Sequence, residues 1–561
     1  MAEPDLVVIN GRLLTMAGDA APASALAVAG GRIRAVGVTA AIRAMAGPRT
    51  RILDAAGATV LPGFIESHMH LFSGAAELDH LQLAGVTGRE ALTRAIRDHA
   101  AMHPKAPLLV AQGADYTILS GTARVTRHDL DRAIADRPFA MAAADHHTMW
   151  ANTLALEQAG LLAGRTLAPG HEIVMGSDGL ASGELREIDA FSPLLRLAGL
   201  GRESAGLVTG GEPEPAPTAA ERAADRALLK RGLAWCARHG ITSIHNMDGN
   251  LYTLALLQEI EEEDALICRV RVPFHMKSFM PLAALDKARA MAGRYRSDTL
   301  SSGFVKVFYD GVLDSWTAAM IEDYADRPGT SGVPLFTPEH FAEVAVAADR
   351  LGLQIAVHAI GDAAVRAVLD GYQAAAAANG RRDSRHRIEH IEVIHPADIP
   401  RFRALGVIAS MQPRHAPGTM GLPLEPTVSR IGEARWPWSY AWRTLREAGA
   451  RLVFATDWPV SPIDPLASIQ AALTRPRWQD DLPDQRQTLD QALRSYTVDG
   501  AYAEFKEDRK GVLREGALAD IVVLSGDVAA TPPERIPELA VATTICNGRV
   551  TYQKGQSSNR Q

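Results

Sequence analysis

Residues 61–71 read LPGFIESHMHL. A Pro-Gly turn leads into a short apolar stretch that ends in His68 and His70. Side chains two apart on a strand point to the same face, so these two histidines can reach one metal ion. Neutral imidazole is a common metal ligand, above all for zinc. The pair alone is weak evidence and fits two partnered structural histidines better than a metal site. Its reading depends on whether the rest of the chain supplies further ligands.

At 561 residues the chain is too long for one small domain and can bury a large core. Its 47% hydrophobic and 22% charged residues are those of an ordinary globular protein. The net charge of −7 is modest, and no dense Lys/Arg block points to nucleic acid or a membrane surface. Cys236, Cys268 and Cys546 lie far apart, which gives neither a disulfide framework nor a Cys-x-x-Cys metal site. The first residues lack a basic region followed by an apolar core, and no apolar run approaches a membrane span. A cytoplasmic setting is the expectation.

Working outward, residues 5–16, 25–37 and 51–60 are β-rich runs punctuated by Asn10-Gly11, Gly30-Gly31 and Gly57. Residues 511–524 and 541–552 repeat this texture. Either end alone is small for its own core, so a composite β-sandwich of residues 1–62 and 508–555 is predicted. Between the ends, strands and helices alternate. Residues 61–71 are the first of eight strand candidates; the others are 241–246, 268–276, 304–309, 354–359, 387–391, 407–412 and 451–456. Helices separate most of them. One opens at Thr218 with Glu221 three residues later, one at Thr337, and one at Asp362 as N-cap. Repeated β-α units predict an α/β protein, a distorted (β/α)8 TIM-like barrel over residues 63–507. Residues 76–232 do not fit the count. They contain strand candidates at 108–115 and 139–145 and read as a long insertion after strand one, a lid or subdomain.

In (β/α)8 proteins the site lies at the C-terminal strand ends. There the sequence places His68 and His70, then His245, then Lys306 with Asp310 beyond it, then His358, His390 and Asp457. Several histidines and a carboxylate suit Zn²⁺ or a similar borderline ion. An ammonium has no lone pair to give a metal. A neutral lysine amine can instead take up carbon dioxide and become a carbamate, a carboxylate on a long arm able to bridge two metals; nearby metal charge favours that change.

Several motifs carry a resemblance: PGFIESHMH, DHHTMWAN at 145–152, GLASGELRE at 179–187, VKVFYDG at 305–311, HAIGDAAV at 358–365, RIEH at 387–390, SMQPRH at 410–415 and ATDWPVSPIDP at 455–465. With them the whole chain resembles the metal-dependent amidohydrolase superfamily, in its YtcJ-like group, amidohydrolase family 3. The resemblance implies a distorted barrel with a β-sandwich from both termini. It implies that His68 and His70 hold a buried Zn²⁺, that His358 and His390 hold a second, that carbamylated Lys306 bridges them, and that Asp457 contacts the first. Glu66 stands where the family usually has Asp. On this basis the chain is expected to hydrolyse a carbon–nitrogen bond other than a peptide bond. The substrate is an amide, an N-acyl or N-formyl amine with an apolar or aromatic group, attacked by a metal-bridged hydroxide. Asp457 serves as proton carrier. His147, beside the more structural His146, is the candidate for the carbonyl oxygen. Glu187, Asp310, His415 and His245 are further candidates, and Trp436, Trp438, Tyr440 and Trp442 either line an apolar pocket or pack a loop. The same metals could act on a cyclic amide or an ester, or in a deamination; a non-catalytic binding homologue is the reading from another class. A homodimer is expected only by family habit.

Overall fold

The His-x-His stretch forms a buried strand within parallel sheets. The computed structural model describes residues 3–18, 22–119, 124–143, 148–167 and 171–555. In it Phe64–Met69 pairs in parallel with Ile241–Asn246, which pairs with Arg269–Arg271, which pairs with Leu300–Ser301. A second parallel sheet runs in the order Phe274–His275, Phe304–Phe308, Gln354–Ala359, Arg387–His390, Ile408–Met411 and Arg451–Phe454. Most of these strands are buried along their whole length, as expected of a parallel sheet covered on both faces.

The arrangement is TIM-barrel-like, yet the single eight-strand ladder predicted from the sequence is divided between two sheets. One reason lies in the third strand, predicted over residues 268–276. It is split around Pro273, which has no N–H to give a ladder. At the other seam Asp457 N–H donates to the His68 carbonyl (3.0 Å) and His70 N–H to the Trp458 carbonyl (2.7 Å). These bonds lie beyond the paired segments and hold the ends of the first and eighth strands side by side.

The helix signals mostly act as read. Thr337 caps Pro338–Arg350 by accepting from His340 N–H (3.2 Å). Thr218 and Glu221 exchange bonds at the start of Ala219–Arg238 (2.8 and 3.3 Å). Asp362 is a correction: Gly361 is the N-cap of Asp362–Asn379. The Asp362 carboxylate accepts instead from Ile321 N–H (2.8 Å), a bond to a distant loop that outcompetes the local cap.

Both ends of the chain contribute to the β-rich part. Leu6–Ile9 lies between Ala25–Ala29 and Arg51–Asp54, with Arg32–Gly37 at the edge. In a second sheet Thr59–Pro62 pairs antiparallel with Ile521–Leu524, which pairs with Val541–Cys546. Leu6, Val8, Leu26 and Val60 share one core with Leu513, Ile521, Val523 and Ile545. Gly63 then turns the chain from Thr59–Pro62 into the histidine strand; a Cβ there would meet the Thr242 side chain at 2.3 Å.

By compactness the chain divides into two units. One comprises Met1–Leu71, Gly206–Glu212 and Arg226–Gln561, and the other Phe72–Ala205 and Pro213–Asp225. The second unit has its own six-stranded sheet, in the order Glu172–Met175, Ala181–Arg186, Thr148–Ala151, Phe139–Ala143, Leu109–Ala114, Leu81–Gln82. Sequence periodicity found only Leu109–Ala114 and Phe139–Ala143 among these six. Among the described residues no helix is long and apolar enough to cross a membrane.

Arg269, on a parallel strand, forms a two-pronged ion pair with Asp520, next to Ile521–Leu524 (2.7 and 3.0 Å). Both are buried. Asp520→Ala leaves a guanidinium in the interior without its partner. It should destabilise the protein by about 3–5 kcal/mol, seen as a lower midpoint in thermal unfolding.

Candidate metal centre

His68 sits one residue from the end of its strand and His70 just past it. The His68 Nε2 and the His70 Nε2 each lie 3.4 Å from Asp457 Oδ1. His390 ends the strand Arg387–His390 and places Nδ1 3.9 Å from Asp457 Oδ2. One donor atom from each of His68, His390 and Asp457 falls within 4.8 Å of the other two. The His68 and His390 rings are 4.9 Å apart, and the His358 and His390 rings 4.5 Å.

The backbone is bent to aim these side chains. His390, Ile391 and Asp457 have φ of 76°, 51° and 60°, in the left-handed region that non-glycine residues avoid. Each such residue costs on the order of 1–3 kcal/mol and persists only where its surroundings enforce it. Here Ile391 N–H donates to the Ala359 carbonyl (3.1 Å), and Asp457 N–H is held by His68 as above.

A second layer fixes the rings. Glu389 Oε2 takes a hydrogen bond from His68 Nδ1 (2.7 Å), which leaves Nε2 to face Asp457. Arg387 grips both oxygens of Glu389 (2.8 and 2.9 Å) and also donates to the Ser67 carbonyl (2.6 Å) and Ser410 Oγ (2.9 Å). Its remaining donor meets His245 Nδ1 (2.9 Å). That bond makes Nδ1 an acceptor and puts the His245 proton on Nε2, toward Glu504 Oε1 at 3.3 Å. Gln412 Oε1 accepts from His390 Nδ1 at 2.9 Å in the same manner. Glu66 accepts from the Thr456 backbone N–H and from Thr456 Oγ1 (3.1 Å), bracing the residue before Asp457. Burial pushes its carboxyl up to about 8, so it stays protonated and adds no charge at neutral pH.

The electrostatics suit metal ligation. Burial, joined by the charge of Lys306, holds the His68 imidazole well below its usual range. Burial and the neighbouring His358 and His68 do the same for His390. Burial and Lys306 bring His358 down to about 4. Burial alone would raise Asp457, but His68 and His70 hold its carboxyl well below the ordinary range. The site thus offers neutral imidazoles and an ionised carboxylate. Lys306 is wholly buried in Phe304–Phe308; burial lowers its amine to about 8 against the pull of Glu389 and Asp457.

Lys306 Nζ, His70 Nδ1 and Asp457 Oδ1 are buried and form no hydrogen bond. Native proteins rarely leave buried polar atoms so. Unpaired donors beside neutral imidazoles fit a divalent ion of the zinc type.

Not every expected residue joins the cluster. His358 Nε2 faces the Gly311 carbonyl (3.0 Å), so only its ring packs against His390. Asp310 accepts three backbone N–H bonds, from Ala319, Ile360 and Gly361 (2.9, 3.0 and 2.9 Å), and ties two loops together. His245 is part of the Arg387 scaffold. His415 stacks on His390 at 6.2 Å and 8°. Trp436 and Tyr440 spend their polar atoms on the Val428 carbonyl and Glu392, and Trp442 packs on Phe454, which is loop and core packing. Glu187 follows Ala181–Arg186 in the second unit. His146 and His147 lie outside the described residues. Sequence reasoning missed Glu389, Arg387 and His275. For the first two the signal was two charged residues two apart in a four-residue buried strand.

A donor set gathered at the C-terminal ends of parallel strands is the pattern of a metal-assisted hydrolase. The family model described as the amidohydrolase family matches residues 51–552, and the chain belongs to that family. YtcJ of Bacillus subtilis, which bears an amidohydrolase name, is 28% identical over 90% of this chain and 91% of its own. The N-substituted formamide deformylase of Arthrobacter pascens is 26% identical over 98% of each. The solved structure of an uncharacterized metal-dependent hydrolase from Pyrococcus furiosus is 27% identical, covers 92% of this chain and 97% of its own, and superposes with a TM-score of 0.70.

Glu389→Gln removes the charge that orients His68 and balances Arg387. Metal affinity, measured by competition with a chelator, should fall by about 10- to 100-fold.

Proposed function

We propose that the protein hydrolyses the amide bond of an N-acyl or N-formyl amine carrying an apolar or aromatic group. The convergence of His68, His390 and Asp457, with His70 against the same carboxylate, carries the reading. The relative named as an N-substituted formamide deformylase, similar over nearly its whole length, supports the bond type. The loops after strands three, four, seven and eight expose Phe279, Val333, Leu335, Leu422, Leu424 and Val460. Large apolar side chains in solvent on the loops that follow these strands suit an apolar substrate group.

Two ions of the zinc type would be held by His68, His70, His390 and Asp457, with His358 joining them if its ring turned from the Gly311 carbonyl and Lys306 adding a carboxylate as its carbamate; they would polarise the acyl oxygen and acidify the attacking water. The chain's own residues handle the protons. Asp457 is ionised and central, so its carboxylate accepts a proton from the water and returns it to the leaving nitrogen. The lowered Lys306 amine is partly neutral near physiological pH, the form that takes up carbon dioxide. Glu389 and Gln412 keep the His68 and His390 rings from turning.

The reading is tested with formanilide and acetanilide beside an aryl ester and an aminoheterocycle, using protein made with zinc and bicarbonate. Release of aniline with measurable turnover is expected. Ammonia from the aminoheterocycle without aniline from either anilide would overturn it. Asp457→Asn should lower kcat by about 100- to 10,000-fold with the fold intact by circular dichroism. Lys306→Ala should reduce the metal content per chain from about two ions, by elemental analysis, in line with a bridging ligand.

A further inference from the structure

The third strand ends in a histidine whose two ring nitrogens form no hydrogen bond among the described residues. His275 closes Phe274–His275 and is 2% exposed. A buried imidazole without a partner is costly, and a structural histidine would have found one. The ring is directed at the centre described above. His275 and Lys306 are register partners on adjacent parallel strands, so their side chains share a face. Phe308, two residues beyond Lys306, stacks on His275 (6.5 Å, 13°) and also packs against His358 (5.0 Å, 32°). After burial itself, the charges that hold His275 well below the usual histidine range are Lys277, Lys306 and His70; the Met247 backbone, near the ring but outside hydrogen-bond geometry, acts in the opposite sense. Lys277, the other polar side chain here, is already bonded to the Leu207 carbonyl and lies over Phe308.

The geometry points to His275 as a substrate-contacting residue, an imidazole whose N–H donates a hydrogen bond to the acyl oxygen of the amide. This rests on the reading of the site as an amide hydrolase. The bond strengthens as negative charge grows on that oxygen in the tetrahedral transition state, and the imidazole keeps its proton throughout. No covalent bond to His275 forms or breaks.

The test uses the metal-loaded full chain, with His275→Ala and, as a milder change that keeps an N–H donor, His275→Gln. Formanilide turnover, metal content and calorimetric binding of phenylphosphonate, a tetrahedral anion with an aromatic group, are measured for each. In His275→Ala, kcat should fall by about 100- to 1,000-fold with KM little changed. Phenylphosphonate binding should weaken at least tenfold, metal content should match the parent, and His275→Gln should fall between the two. Unchanged kcat and phosphonate binding overturn the proposal; so does loss of metal in both variants, which would make His275 a ligand. A parent that hydrolyses no anilide overturns the functional reading instead, and the phosphonate comparison then decides the role of His275 by itself.

Discussion

The bond between His68 and Glu389 is the constraint on which the site depends. It spans two strands that are far apart in the chain, Phe64–Met69 and Arg387–His390. It is short, wholly buried, and charge-balanced from behind by Arg387, which also reaches Ser67, Ser410 and His245. A buried carboxylate is tolerable only when its oxygens are fully matched, and once matched it fixes the groups around it. That one guanidinium therefore sets the register of the histidine strand, the tautomer of His245 and, through Glu389, the direction of the first candidate ligand.

The remaining site geometry comes from local strain. A helix or strand of ordinary dihedrals would point His390 and Asp457 elsewhere. Their left-handed backbone is sustained by bonds to neighbouring strand ends, so rigidity of the sheets is converted into aim at the centre. The neutral imidazoles and the partly neutral Lys306 are then consequences of depth, since burial is the leading influence on each, whereas Asp457 is kept ionised against burial by His68 and His70.

How much of this was legible in the chain follows from the range of each interaction. His68, His70, His390 and Asp457 could be read because they stand at the ends of apolar strands, a local pattern. The pairing of both termini was legible because neither β-rich end could make a core alone. What escaped was non-local. Pro273 divides the third strand and hid His275 from a strand-end reading. His358 turns to a carbonyl that no spacing rule predicts. Asp362 exchanges a cap for a bond to Ile321, and four of the six strands in the second unit lack clear alternation.

The pairing of Thr59–Pro62 with Ile521–Leu524 bears on how the protein is born. The strand that delivers His68 continues from a strand whose partner is made roughly 460 residues later, which at about 5–20 residues per second is a delay of about 20–90 s. Through that interval Val60 and Leu61 lack the apolar cover they have in the finished fold. The nascent chain must be kept from pairing that edge with something else until Ile521–Leu524 leaves the ribosome. Maturation of the centre thus waits on the synthesis of a distant strand, Ile521–Leu524, rather than on the histidines themselves.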